Sequence, residues 1–199
     1  MTVAALLLRS IHVVCPITDR DGRYDVRIVN GRYAEINPSH MDQGDAGSEP
    51  FQIDGRHLTM IPGLVDLNAH LCEPGQEHKG TIESAQRAAA RAGFTLLCAS
   101  PASAPVNDSR AVTEFILRRC EGGPGARVRP VAALTVGLKG RRLTEMFELK
   151  EAGAIAFSQG TASLESGALA RRALEYAHAT GMPVLETPLD LDLAGVGVM

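Results

Sequence analysis

The chain has 199 residues, 45% of them hydrophobic, and a formal net charge of −3. These values are typical of a soluble globular protein with its own core, and they indicate no general attraction to nucleic acid or to an anionic membrane. No apolar run approaches the ~18 residues of a membrane span, and the opening MTVAALLLRS is too short for a signal peptide. The four cysteines are widely spaced and form neither a disulfide framework nor a finger-type zinc site. We therefore expect a protein of the reducing cytoplasm.

The first part of the chain, residues 1–61, has the pattern of a small all-β domain. Two alternating runs flank Asn30-Gly31, which is a strong signal for a tight hairpin. The polar stretch from Asn37 to Pro50 is rich in Gly and Pro and predicts an exposed loop, and the segments FQIDG and HLTMI predict two more short strands.

From residue 62 to 199, predicted strands alternate with predicted helices of 10–15 residues. This alternation favours βαβ units with a parallel sheet, and it fits a barrel or an open sheet about equally well. Helix caps are predicted at Thr81, Asp108 and Thr144. We count five strands and four helices, whereas a complete eight-unit barrel takes about 250 residues. We therefore expect a truncated barrel, or one that another polypeptide completes.

The basic residues form only three doublets, Arg118-Arg119, Arg141-Arg142 and Arg171-Arg172. Each falls in a predicted helix or its first turn. We expect all three to lie on solvated helix faces.

The segment LVDLNAHLCEPG, Leu64 to Gly75, is where chemistry is expected in a barrel, because it follows the first parallel strand. A His-x-His pair here would place two imidazoles on one side of the strand, where they can grip a zinc ion. The segment has Asn68 and His70 instead. We expect His70 to be a hydrogen-bonded core residue, Asp66 to be structural, and Cys72 beside Glu73 to be a passive cysteine rather than a nucleophile.

The segment IPGLVDLNAHLCEPG resembles the signature segment of the dihydroorotases, which are members of the amidohydrolase superfamily. The resemblance continues in GTIESAQRAAARAGFTLLCASPASAPV, in ALTVGLKGRRLTEMFELKEAGAIAFS and in SGALARRALEYAHATGMPV. It covers nearly all of residues 62–199, and residues 1–61 match the family's N-terminal half of a composite β-sandwich. It implies an α/β fold, a (β/α)8 TIM barrel of the amidohydrolase type, here truncated after about five strands. It also implies a zinc enzyme that cyclises carbamoyl aspartate to dihydroorotate.

The functional positions of the family do not carry over to this chain. The metal-site positions fall on Asn68, His70, Gln159 and Thr187, of which only His70 retains the family's residue. The arginine and the asparagine that bind substrate in the family fall on Cys72 and Ala102.

A zinc site depends on three or four ligands acting together, and even a disturbed partner of one ligand costs about 10–100-fold in affinity or activity. We therefore expect no catalytic residue, no substrate-binding residue and no bound zinc.

The resemblance, with its lost site residues, implies a non-catalytic homologue of the kind that assembles with aspartate carbamoyltransferase in pyrimidine biosynthesis. The expected partner is that transferase in a hetero-oligomer, without nucleic acid or membrane. Two alternatives stay open: an active zinc-dependent cyclic amidohydrolase with a rebuilt site, and a module that binds a small molecule in the vacant pocket without chemistry.

Overall fold

The computed structural model describes residues 5–39 and 51–187. The chain divides into two compact units, Met1–Pro62 and Gly63–Met199. Most of the predicted loop from Asn37 to Pro50 lies outside the described residues. No helix in the described ranges combines the length and apolar character needed to cross a membrane.

The first unit is a five-stranded β-sheet. Its strands are β1 (Ala5–Cys15), β2 (Arg20–Val29), β3 (Arg32–Pro38), β4 (Gln52–Asp54) and β5 (Thr59–Met60). The order is β3-β2-β1-β4, and β5 also pairs with β1. Ile11, Val13 and Val26 form its buried core. The described residues of this unit form one sheet, so the expected sandwich stays a prediction.

The predicted hairpin at Asn30-Gly31 is confirmed, since β2 and β3 are antiparallel and pair Val29 with Arg32. Asn30 and Gly31 have φ angles of 49° and 72°. Both residues are therefore left-handed, as a two-residue hairpin turn whose twist matches the strands requires.

The second unit is a curled, fully parallel sheet in the order β10-β9-β8-β7-β6. The strands are β6 (Leu64–Ala69), β7 (Phe94–Ala99), β8 (Arg127–Ala133), β9 (Ala156–Ser158) and β10 (Val184–Leu185). Four helices alternate with them: α1 (Ile82–Arg91), α2 (Arg110–Cys120), α3 (Met146–Glu151) and α4 (Gly167–Thr180). The predicted alternation of five strands and four helices is confirmed. Because each strand pairs with the next one along the chain, the sheet has the order of half a barrel.

The core of this unit lies between the sheet and its helices. Ile82, Val112 and Ile116 pack with the strand residues Leu97 and Val128. Around β8 and β9 a second cluster contains Leu134, Met146, Leu149 and Phe157.

Of the three predicted helix caps, only Thr81 is confirmed. Its hydroxyl accepts a hydrogen bond from the Ser84 amide, while the Thr81 amide donates to the Ser84 hydroxyl. Thr144 is not a cap, because its hydroxyl donates to the Ala133 carbonyl and α3 begins only at Met146. Asp108 is not a cap either, since its carboxylate accepts from the Gly137 amide on another loop.

The prediction for the basic doublets is wrong in one case. Arg118-Arg119 and Arg171-Arg172 lie on α2 and α4, whereas Arg141-Arg142 lies between β8 and α3. That segment folds into a hairpin, in which the Val136 amide donates to the Arg142 carbonyl and Thr135 bridges to Leu143.

Candidate functional site

The carboxyl ends of β6 to β10 lie at one edge of the parallel sheet, the edge that carries the chemistry in barrel enzymes. The site positions expected from the sequence all lie within three residues of a strand end. These positions are Asn68, His70, Cys72, Ala102, Gln159 and Thr187.

At the end of β6, both Asn68 and His70 are exposed. The backbone N–H of Asn68 donates to Oδ1 of Asp66 at 2.9 Å. Asp66 therefore fixes the local backbone, as expected. The expectation that His70 is a core residue is wrong. It follows an edge strand at a point where no described element covers it, and its ring has no hydrogen bond among the described residues.

Glu73 holds the loop after β6 in place through its hydrogen bonds to two helices. The Glu73 side chain is only 4% exposed, and its Oε1 accepts from Nε of Arg119 at 2.7 Å. Its Oε2 accepts from the Ile82 amide at the start of α1 at 2.8 Å. Both oxygens therefore hold the loop in place, and the Cys72 thiol donates to the His70 carbonyl and not to Glu73. Sequence reasoning missed this role, because Arg119 lies 46 residues away along the chain.

The end of β7 contributes no charged side chain. Ser100 is buried, and its hydroxyl has no hydrogen-bond partner among the described residues. Ala102, which stands at a substrate-binding position of the family, is exposed and has no polar group.

Gln159, at the end of β9, is completely buried. Its Oε1 accepts from the Thr135 hydroxyl at 2.8 Å, and its Nε2 has no partner among the described residues. The amide at this metal-site position is thus packed into the protein against the end of β8. It presents no donor oxygen to a shared site.

Glu186, just after β10, was not predicted from the sequence. Its carboxylate accepts a hydrogen bond from the backbone N–H of Gln159 at 3.2 Å. Partial burial raises the pKa of Glu186 above its ordinary value, and the Gln159 hydrogen bond opposes that shift. Thr187, the next residue, is exposed.

These residues do not fit a zinc ion. Within residues 5–39 and 51–187, no three His, Cys, Asp or Glu side chains converge on a point where they could hold a metal. The groups at the strand ends are one imidazole, the Cys72 thiol, three carboxylates and two amides, and they do not meet at one point, whereas zinc is held by three or four nitrogen, sulfur or carboxylate ligands together.

A cavity of about 380 Å³ lies at the opposite end of the sheet, where β8 begins. Gln86, Cys120, Gly123 and Arg129 are among its lining residues. Nε2 of Gln86 donates to the carbonyls of Ala126 and Cys120, so this side chain joins α1 to the loop before β8. The polar contacts of this cavity hold α1 against the loop before β8, and the cavity lies away from the carboxyl ends of the strands.

Residues 57–191 match the family described as Dihydro-orotase-like. A protein named Dihydroorotase from Anaeromyxobacter sp. (strain K) is 43% identical over 194 residues, which are 98% of this chain and 44% of the relative. A protein of the same name from Syntrophotalea carbinolica is 39% identical with the same coverage. The chain therefore spans less than half the length of these curated relatives.

Solved structures share the fold. The L-hydantoinase (dihydropyrimidinase) from Arthrobacter aurescens superposes with a TM-score of 0.70 at 18% identity, over 91% of this chain and 40% of its own. A dihydroorotase superposes with a TM-score of 0.59 at 16% identity, over 92% of this chain and 50% of its own.

Proposed function

This chain belongs to the dihydro-orotase-like family, and we propose that it is a member without catalysis that serves as a structural partner of aspartate carbamoyltransferase. In this role the half-barrel provides a surface that binds the partner protein, and the residues at the carboxyl ends of its strands catalyse no reaction. The proposal places the chain in a hetero-oligomer of pyrimidine biosynthesis.

One observation supports the proposed loss of catalysis: at the described strand ends, no three side chains of the metal-binding types converge on one point. The choice of partner follows from the family resemblance. Asn68 and Thr187 are exposed non-ligating residues, and Gln159 is enclosed against Thr135. Cys72 lacks the paired N–H donors with which arginine binds a carboxylate. The fold around these positions is intact, with the predicted Thr81 cap at the start of α1 and a continuous parallel sheet.

A second candidate is an active cyclic amidohydrolase. It is favoured by the 43% identity, over 98% of this chain, to a protein named Dihydroorotase. In that case the ligands would have to come from residues other than those at the described strand ends.

Native mass spectrometry of the protein purified from its own cells separates these candidates, because one spectrum reports bound metal and bound partners. We expect a zinc-free chain inside an assembly with the carbamoyltransferase. The same preparation should show no turnover of dihydroorotate.

A zinc-loaded chain that turns over dihydroorotate would establish the enzyme. A transferase that keeps its size and full activity when this protein is deleted would refute the structural role.

A further inference from the structure

The strongest unassigned feature is the hairpin between β8 and α3, residues 136–142, which we call the basic hairpin. It carries Lys139, Arg141 and Arg142, and all three side chains are exposed. Nearby acidic residues do not neutralise them, since neither Glu145 nor Glu165 forms an ion pair with any of the three within the part of the chain that the structure describes. The carboxylate of Asp108 also contacts the hairpin, but it accepts from the Gly137 amide and forms no ion pair with the three cations among the described residues.

The hairpin is rigidly anchored to the sheet. The Gly140 amide donates to the buried Thr135 hydroxyl at 2.9 Å, and that hydroxyl donates to Gln159. The Gly137 amide donates to Oδ2 of Asp108 at 2.7 Å.

A third attachment comes from the loop after β9, where the Glu165 amide donates to the Gly140 carbonyl at 2.9 Å. The backbone that bears the three cations is thus fixed before any ligand arrives, which reduces the entropy cost of binding.

The geometry points to a partner with several separated carboxylates. Arg141 and Arg142 are consecutive residues in the bend between Gly140 and Leu143, and both side chains are exposed. Lys139 lies at the tip, next to Gly140 with its φ of 70°. Each of the two guanidinium groups can bind one carboxylate through two parallel hydrogen bonds, so this pair together with Lys139 suits an acidic segment that carries several carboxylates.

We propose that the basic hairpin docks an acidic segment of a partner protein. Nucleic acid is the less suitable polyanion, because its binding is dominated by many phosphate contacts and the chain as a whole has a net charge of −3. The inference goes beyond the structural role proposed above, since it does not depend on which protein the partner is.

The test uses fluorescence anisotropy of a labelled octaglutamate peptide with the full chain at low salt. The hairpin variant is K139Q/R141Q/R142Q. The matched control is R32Q/R118Q/R172Q, which changes the net charge equally at three exposed arginines that have no ion pair in the described ranges. We expect the hairpin variant to bind about tenfold more weakly and with a smaller salt dependence, and the control to bind like the wild type within about twofold.

Equal weakening in both variants would overturn the inference, because it would reduce the effect to net charge. Absence of peptide binding to the wild type would overturn it too. Tighter binding of single-stranded oligothymidine than of octaglutamate, abolished in the hairpin variant, would assign the surface to nucleic acid instead. The single variants K139Q, R141Q and R142Q show whether each cation contributes, and circular dichroism checks that every variant is folded.

Discussion

Glu73 joins the loop after β6 to two helices through one buried carboxylate. Its partners are Arg119 near the end of α2 and the Ile82 amide at the first residue of α1. The hydrogen bond to Glu73 raises the pKa of Arg119 above its ordinary value, which shows that the carboxylate stabilises the charged guanidinium. A buried charge with two charge-assisted hydrogen bonds stabilises a fold mainly because its loss leaves other groups unpaired.

Glu73→Gln should lower the free energy of unfolding by about 1–3 kcal/mol, because the single amide oxygen can accept from only one of the two N–H donors and the amide NH2 group faces the other donor. Urea denaturation measures this loss. The control is Glu83→Gln, which removes the exposed i,i+4 ion pair with Arg87 and should cost less than about 0.5 kcal/mol. Equal losses in the two variants would show that Glu73 does not anchor the loop.

Three of the four cysteines, Cys15, Cys98 and Cys120, should differ in reactivity at neutral pH. Burial raises the pKa of Cys120 to about 11, and burial with the nearby charge of Asp66 also raises the pKa of Cys98. At Cys15, hydrogen bonds from Thr18 lower the pKa instead. Since only the thiolate reacts, iodoacetamide should label Cys15 at least about tenfold faster than Cys98 or Cys120.

Peptide mass spectrometry of the labelled protein, taken at several times, gives the rate for each thiol. Raising the pH should accelerate the labelling of Cys120 over a higher range than that of Cys15, because its thiolate forms later. Labelling of Cys120 as fast as that of Cys15 in the folded protein would contradict the packing of α2 described above.

At the scale of elements, the loops after β6 and β7 lie against each other at Gly75. The Ala104 amide donates to the Pro74 carbonyl at 3.0 Å. Gly75 has a φ of 95°, and a Cβ added there would overlap the carbonyl oxygen of Ala104. Only glycine allows these two loops to approach so closely.

Gly75→Ala should therefore destabilise the protein by more than Gly93→Ala. Gly93 also has a positive φ, 86°, but nothing lies within 4 Å of an added Cβ, so this control measures backbone strain alone, about 1–2 kcal/mol. We expect the Gly75 variant to lose at least about 2 kcal/mol more in urea denaturation. Equal losses would mean that the two loops separate without cost.

The elements that sequence reasoning predicted are those whose signals are local. The turn at Asn30-Gly31 and the helix cap at Thr81 each depend on residues at most three positions apart. The Thr144 cap failed because its hydroxyl is taken by Ala133, eleven residues earlier in the chain. Local propensity does not report such a competing long-range bond.

The prediction that Arg141-Arg142 lies on a helix face was wrong for the same reason, because long-range hydrogen bonds hold this segment in another conformation. Arg141-Arg142 has the composition of a helix start, but Thr135 and Asp108 bind the amides of Gly140 and Gly137 and hold the segment as a turn. The identities of the residues at the candidate site were readable from the sequence through the family resemblance. The enclosure of Gln159 by Thr135 and the engagement of Glu73 by Arg119 were not, because each joins different strand or helix ends.

At the scale of the whole molecule, the candidate site is distributed over the entire parallel sheet. Asn68 belongs to β6 and Thr187 follows β10. These two strands are the edge strands of the parallel sheet. Gln159 follows β9, beside the latter edge. A metal site at these positions thus requires several strand ends to supply ligands at once, and no single residue determines it.

Zinc retention tests this requirement through Asn68→His, at an exposed position where the change should not disturb folding. We expect the variant, like the wild type, to hold far less than one zinc ion per chain after dialysis, because two imidazoles from one strand supply only half of a tetrahedral site. Adding Thr187→His brings a third imidazole from the other edge of the sheet, and Asn68→Gln is the control without a ligand. Metal content by atomic emission and turnover of dihydroorotate are measured on each protein. Full zinc occupancy in the Asn68→His variant alone, with turnover, would mean that the remaining ligands are already in place, and it would favour the active amidohydrolase over the structural partner.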